Sequence, residues 1–253
     1  MSVKPDSGLA LRVHPSPNHN ERREGKPIDM IVLHYTGMAD EDAALRRLCD
    51  PRAEVSAHYF VRETGDILQC VPEARRAWHA GRSFWKGETD INSRSIGIEI
   101  ANPGHEWGYR DFPAVQVEAV IALCRDICAR HAIPPWRVLA HSDVAPQRKE
   151  DPGEKFPWER LARAGIGHHV APAPLAGGRF FQEGEAGQPV EALQSMLALY
   201  GYDVPISGVF DARTRAAVAA FQRHFRPERV DGIADVSTIV TLHTLLAALP
   251  ELG

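Results

Sequence analysis

Cysteine and lysine are scarce in this chain, positive charge is not in excess, and long apolar runs are missing. Four cysteines in 253 residues (Cys49, Cys70, Cys124 and Cys128) do not make a disulfide framework at this length. Cys124 and Cys128 are one helical turn apart and continue an apolar stripe, which favours buried thiols over metal ligands. No stretch reaches the roughly 20 apolar residues that a membrane-spanning helix needs. Residues 1–8 hold neither an apolar signal core nor a lipid-acceptor cysteine behind one, so a cytoplasmic location is the first expectation. With 29 basic and 33 acidic residues the net charge is −4, which argues against nucleic acid as the main partner, because phosphate contacts need a basic face. Five lysines stand against twenty-four arginines, a bias that reflects genome composition rather than function.

What remains is an ordinary globular composition, 44% apolar and 25% charged. The length suits a core domain of about 170 residues with a module of about 65. Residues 28–33 form an apolar run that predicts a strand halting at His34. A short helix follows from Glu41 to Cys49, with Asp40 as its N-cap and Asp50-Pro51 as its stop. Residues 58–62 and 67–71 read as a hairpin. From Pro72 to Arg94 no regular period is visible, and Trp78, His79 and Trp85 cluster there as in a binding loop. Residues 96–100 read as a buried strand interrupted by Glu99, and residues 138–140 as a last short strand ending at His141. Between them the 3-and-4 spacing of Val117, Val120, Ile121, Cys124, Ile127 and Cys128 predicts a one-sided helix running to about His131. Strands interleaved with helices predict an α/β domain, a central mixed sheet flanked by helices.

Composition changes at His168. Residues 168–187 are rich in Ala, Pro, Gly and Glu and read as a linker between a domain at 1–167 and a helical module at 188–253. Within the module, residues 208–214 (GVFDART) are echoed by residues 232–238 (GIADVST). In each repeat an aspartate, Asp211 or Asp235, is placed to cap the next helix. Helices over 189–200, 212–225 and 236–249 give a small three-helix domain.

Three side chains stand where apolar runs end: His34, His141, and Asp151 in the loop 148–153. Two imidazoles and a carboxylate suit a catalytic zinc with a fourth position open to water. Read singly, each histidine also fits a hydrogen-bonded structural role. A His-Glu-x-x-His run is missing. Glu99 lies between Ile98 and Ile100 and faces the other side of the sheet from them. It reads either as a general base or as a salt-bridged structural residue. Lys149 is placed to meet an oxyanion, or is an exposed loop lysine.

Together these residues acquire a pattern. Residues 31–36 (IVLHYT), 56–61 (SAHYFV), 77–81 (AWHAG), 95–99 (SIGIE) and 140–153 (AHSDVAPQRKEDPG) come in family order. On them the chain resembles the zinc-dependent N-acetylmuramoyl-L-alanine amidases of the Amidase_2 (peptidoglycan-recognition-like) superfamily, of AmiD/AmpD type. The resemblance implies His34, His141 and Asp151 as ligands of one zinc ion per chain, Glu99 as catalytic acid/base and Lys149 as transition-state stabiliser. It implies Trp78, His79 and Gly81 as cleft-lining, substrate-binding residues. Ala57 stands where some relatives carry a tyrosine near the metal, and His58 is a strand residue outside the metal shell. The implied substrate is peptidoglycan or a muropeptide, cut between the lactyl group of N-acetylmuramic acid (or its anhydro form) and L-alanine, for wall turnover or recycling. A non-catalytic peptidoglycan receptor using the same groove is the alternative. The module, through Leu193-Gln194, Phe221-Gln222 and Asp231-Gly232, resembles a three-helix peptidoglycan-binding domain. Such a module fits the cell envelope, the alternative to a cytoplasmic location. It is either a glycan binder or a structural appendage.

Overall fold

The computed structural model describes residues 4–250. Its strands are β1 (Arg12–Val13), β2 (His19–Glu21), β3 (Met30–Tyr35), β4 (Tyr59–Val61), β5 (Ile67–Gln69), β6 (Arg75–Ala77), β7 (Ser95–Ile100) and β8 (Val138–Ala140). Its helices are α1 (Glu41–Cys49), α2 (Ile91–Arg94), α3 (Ala114–His131), α4 (His141–Val144), α5 (Trp158–Arg163), α6 (Gln188–Tyr200), α7 (Ala212–Phe225) and α8 (Val236–Ala247). Six strands form one mixed sheet in the order β1-β5-β4-β7-β3-β8, and β2 pairs with β6 in a small second sheet. The central pairs β4–β7, β7–β3 and β3–β8 are parallel, and the β4–β5 hairpin is antiparallel. The α/β architecture with a mixed central sheet is therefore as the sequence pattern predicts.

The ends of the helices follow local chemistry. Asp40 caps α1 by accepting from the Ala43 amide at 2.6 Å. In the module, Asp211 and Asp235 each accept from a threonine amide three residues on, both at 2.8 Å. Gln194 and Gln222 extend this repeat, because each uses its carbonyl oxygen to take two amides of the following turn. The third helix of the module stops at Ala247, two residues before the expected end. Residues 72–94, read as irregular, contain β6 and the single turn α2. A three-residue strand is too short for a period-2 pattern to register, and β6 owes its order to pairing with β2.

The alternation of β3 decides what covers each face of the sheet. Ile31 and Leu33 face α3, together with Ile96, Ile98 and Ile100 of β7. Met30 and Val32 face the opposite way and share one buried cluster with Leu139, Trp85 and the module residues Leu193, Leu197, Tyr200, Tyr202 and Phe221. Farther along this second face, Phe60 and Leu68 are covered by Ala44, Leu45 and Leu48 of α1. The module and α1 thus cover two ends of one face and leave an opening between them. Residues 168–187, read as a linker, hold no regular element and run beside α8, where Ser237 Oγ donates to the Ala173 carbonyl at 2.5 Å.

Candidate active site

Parity places His34 on the Met30/Val32 face of β3, and its register partner on β7 is Glu99. Both side chains therefore enter the opening between α1 and the module. This opening is a cleft of about 720 Å³, lined among others by His34, Trp78, His79, Glu99, His141, Lys149 and Asp151. That volume suits a peptide-sized ligand. Ala44, Arg47 and Leu48 of α1 form one wall, and Arg215, Ala216, Ala219 and Arg223 of α7 the other.

At the floor, three donor atoms converge. His34 Nδ1 lies 2.9 Å from His141 Nδ1 and 3.1 Å from Asp151 Oδ2, and His141 Nδ1 lies 2.9 Å from the same oxygen. Ligands about 2.0–2.1 Å from a tetrahedral ion stand roughly 3.3 Å from one another, close to this spacing. Among the described residues, these three are the group of histidine, cysteine and carboxylate side chains that could hold a metal ion.

Hydrogen bonding fixes which imidazole nitrogen carries the proton. His141 Nε2 lies 3.1 Å from the Ala80 carbonyl, which can only accept, so Nε2 is protonated and Nδ1 keeps its lone pair. For His34 the same conclusion comes through a chain. Ser95 Oγ donates to the Ile91 carbonyl at 2.7 Å and so accepts from His79 Nε2 at 3.0 Å. His79 Nδ1 is then an acceptor, and takes the proton of His34 Nε2 at 3.0 Å. Both histidines are in this way held with Nδ1 facing the point where the three donor atoms converge, as second-layer hydrogen bonds do at metal sites. The His79 ring occupies the place that a side chain at position 97 would fill, so glycine is required there.

For His34, electrostatics favour the same protonation state. Burial, then the neighbouring His141, lowers the His34 pKa to about 4, so the ring is neutral. Burial works to raise the Asp151 pKa, but the two imidazoles outweigh it and hold the carboxyl well below the usual range. Neutral imidazoles and an ionised carboxylate are what metal binding demands. Glu99 behaves oppositely. Burial and then the Asp151 charge push its carboxyl well above the usual range, with Lys149 opposing. Its Oε2 is enclosed and has no hydrogen-bond partner among the described residues.

Most residues expected at the site are there. Lys149 lines the cleft, half-buried. Trp78 lines it too, with its indole N–H donating to Asn20 Oδ1 at 2.8 Å. His79 lines it and also braces His34. Gly81 is not among the cleft-lining residues. It lies beneath the Arg148 guanidinium, which donates to the carbonyls of Ala80 and Arg82. His58 stays outside the triad, its Nδ1 accepting from the Gly97 amide at 2.9 Å.

Sequence reasoning missed the contribution of the module. Asp143 of α4, fully buried, accepts from Tyr202 Oη at 2.7 Å, from His224 Nδ1 at 2.6 Å and from the Ala140 amide at 2.8 Å. Because α4 begins at His141, module residues brace the helical turn that carries this histidine. No short motif announces this, because the partners are 59 and 81 residues apart.

Comparison with known proteins agrees with this geometry. Residues 24–154 match the N-acetylmuramoyl-L-alanine amidase family model (Amidase_2), and residues 186–242 match a peptidoglycan binding domain model. The chain is 42% identical over 234 residues to N-acetylmuramoyl-L-alanine amidase AmiD of Escherichia coli K12, covering 87% of this chain and 82% of that protein. It is 32% identical over 164 residues to the 1,6-anhydro-N-acetylmuramyl-L-alanine amidase AmpD of Enterobacter cloacae, covering 58% of this chain and 86% of that protein. Among solved structures it is similar to E. coli AmiD in complex with the substrate anhydro-N-acetylmuramic acid-L-Ala-D-gamma-Glu-L-Lys. That match has a TM-score of 0.75 at 38% identity and covers 90% and 92% of the two chains. It is also similar to AmpDh3 of Pseudomonas aeruginosa, with a TM-score of 0.74 at 32% identity, covering 89% and 94%. The fold that the sequence pattern anticipated, with a cleft where three side chains able to hold a metal ion converge, thus coincides with a family match over half the chain: this protein belongs to the N-acetylmuramoyl-L-alanine amidase family.

Proposed function

We propose that the chain hydrolyses the amide between the lactyl group of N-acetylmuramic acid, or its anhydro form, and the L-alanine of the attached peptide, with one zinc ion held by His34, His141 and Asp151. The convergence of these three donors at the floor of the cleft, with Glu99 as the register partner of His34, carries this reading. The AmiD complex supports the substrate class, an anhydromuramic acid bearing L-Ala and a γ-linked D-Glu. An all-nitrogen-and-oxygen donor set of two imidazoles and a carboxylate suits zinc.

When bound, the ion would polarise water and the scissile carbonyl. The protein supplies the rest. Glu99 Oε2 has no partner to compete for it, so it is placed to take the proton of the attacking water and return it to the leaving amine of L-alanine. A carboxyl whose pKa is raised by burial holds such a proton more readily than an exposed one. The Lys149 ammonium is placed to offset negative charge on the tetrahedral carbonyl oxygen. Trp78 offers a flat apolar surface at the edge of the cleft.

The test is to load purified protein with zinc, confirm one ion per chain by elemental analysis, and incubate it with an anhydromuropeptide. Release of free peptide starting at L-alanine, seen by mass spectrometry, supports the reading. A metal-replete protein that binds the muropeptide and leaves it intact overturns it in favour of a receptor.

A further inference from the structure

From the module wall of the cleft we infer that Arg223, with Arg215, forms an anion subsite for a free carboxylate of the peptide part of the substrate. This rests on the amidase reading and adds to it a task for the C-terminal module within the catalytic cleft, separate from wall binding.

The placement follows from helix geometry. Residues 215, 219 and 223 are four apart and share one face of α7. That face lines the cleft with its two arginines, while Ala216 and Ala219 keep the space between them open. The opposite face, with Ala217, Val218 and Phe221, is packed in the shared core, so α7 cannot rotate away. Its packing against α4 fixes the wall relative to His141, through the buried Asp143–His224 contact.

The Arg223 side chain is 14% exposed, and Glu150, the neighbour of the ligand Asp151, accepts from its Nη2 at 2.7 Å. That is the hydrogen bond of this guanidinium among the described residues, and its Nε is buried without a partner. A guanidinium offers five donors, so most of the fork remains unused. Glu150 does not neutralise it exclusively, since the other Glu150 oxygen lies 3.6 Å from His105 Nδ1. Arg215 is 57% exposed and its Nε is paired at 3.0 Å with Glu183.

The chemistry of the ligand complements this wall. A D-Glu joined through its γ-carboxyl keeps its α-carboxylate free, and that anion follows immediately after the L-alanine of the scissile bond. Planar carboxylates are matched by the arginine fork.

The experiment compares the zinc-loaded full chain with Arg223→Gln, Arg215→Gln and, as a control away from the cleft, Arg213→Gln, whose partner is Asp203. Three muropeptides are used: one with all carboxylates free, one with an α-carboxamide on the γ-linked glutamate, and one with a C-terminal carboxamide. Arg223→Gln is expected to raise KM roughly tenfold on the free-acid substrate, with kcat within about twofold, because an interaction made equally in ground and transition states is lost. The effect should vanish on one of the two carboxamides, and Arg213→Gln should behave as wild type. A penalty of the same size on all three substrates reduces Arg223 to a structural partner of Glu150 and overturns the subsite, as does no penalty at all. If the wild-type chain cleaves none of the three, the amidase reading itself fails, and the subsite falls with it.

Discussion

His34 and Glu99 are register partners on adjacent parallel strands, so an imidazole of the candidate metal site and a carboxylate leave the sheet side by side on the same face. This pairing separates two roles that share one location. His34 is turned by His79 so that Nδ1 meets His141 and Asp151, whereas Glu99 makes no hydrogen bond through Oε2.

The roles separate under mutation. Glu99→Gln keeps the shape of the side chain and should retain one zinc per chain while turnover falls about 10²–10⁴-fold. His141→Ala removes a ligand and should lose both metal and turnover. Elemental analysis beside a muropeptide assay checks both. Zinc lost from Glu99→Gln, or retained at full occupancy by His141→Ala, would reverse the assignment.

His79 should act on metal affinity rather than on chemistry. His79→Ala frees the His34 ring to turn, and the expected result is metal affinity weakened about 10–100-fold, with turnover largely recovered in excess zinc. A competition titration against a chromogenic chelator measures this. Unchanged affinity would make the His34–His79 contact incidental.

Acid should weaken the hairpin through Glu73. Burial acts to raise its carboxyl pKa, but hydrogen bonds from Arg130, His131 and Tyr59 prevail and bring it down to about 2. A carboxyl held lower in the folded than in the unfolded chain adds stability that is complete above about pH 4.5 and is lost as pH falls toward 2. Allowing for partial solvent screening, the effect is on the order of 1–2 kcal/mol. Wild type should therefore melt above Glu73→Gln at pH 6, with the gap closing below pH 4. A gap in Tm that does not change with pH would show that only packing is at stake.

Cutting the chain after Gly167 removes every module residue from a core that also contains Met30, Val32, Trp85 and Leu139. Trp85, 1% exposed in the full chain, would meet water, and Asp143 would lose both Tyr202 and His224. Burying one large aromatic contributes about 2–3 kcal/mol, and each hydrogen bond to a charged group about 1.5–3 kcal/mol. The shortened protein should be insoluble or melt well below the full chain by calorimetry. Equal melting temperatures would establish independent folding.

Local signals made much of the fold legible. Asp40 as an N-cap with Asp50-Pro51 as a stop gave α1, the apolar run ending at His34 gave β3, and the isolated carboxylate of residues 96–100 marked Glu99 as facing away from its neighbours. The three side chains that could hold a metal were legible as a candidate site because each follows an apolar run, or lies in a loop shortly after one, and family resemblance then joined them. The α7 wall was not legible. On a helix, arginines spaced four apart read as an ordinary solvent face, and only the docking of the module turns that face toward the cleft. The bracing role of His79 was hidden for a similar reason, since it depends on a missing side chain at Gly97 in another strand.

The seam that joins module and sheet also bears on protein engineering. A chimera that borrows its C-terminal third from a relative would have to inherit a compatible half of that seam. The incoming chain must offer aromatics that close over Trp85, donors that reach Asp143, and a cation opposite Glu150. Exchanging the two parts as independent building blocks would disturb the footing of His141 itself, so compatible grafts should be recognised first by whether they still take up a metal ion.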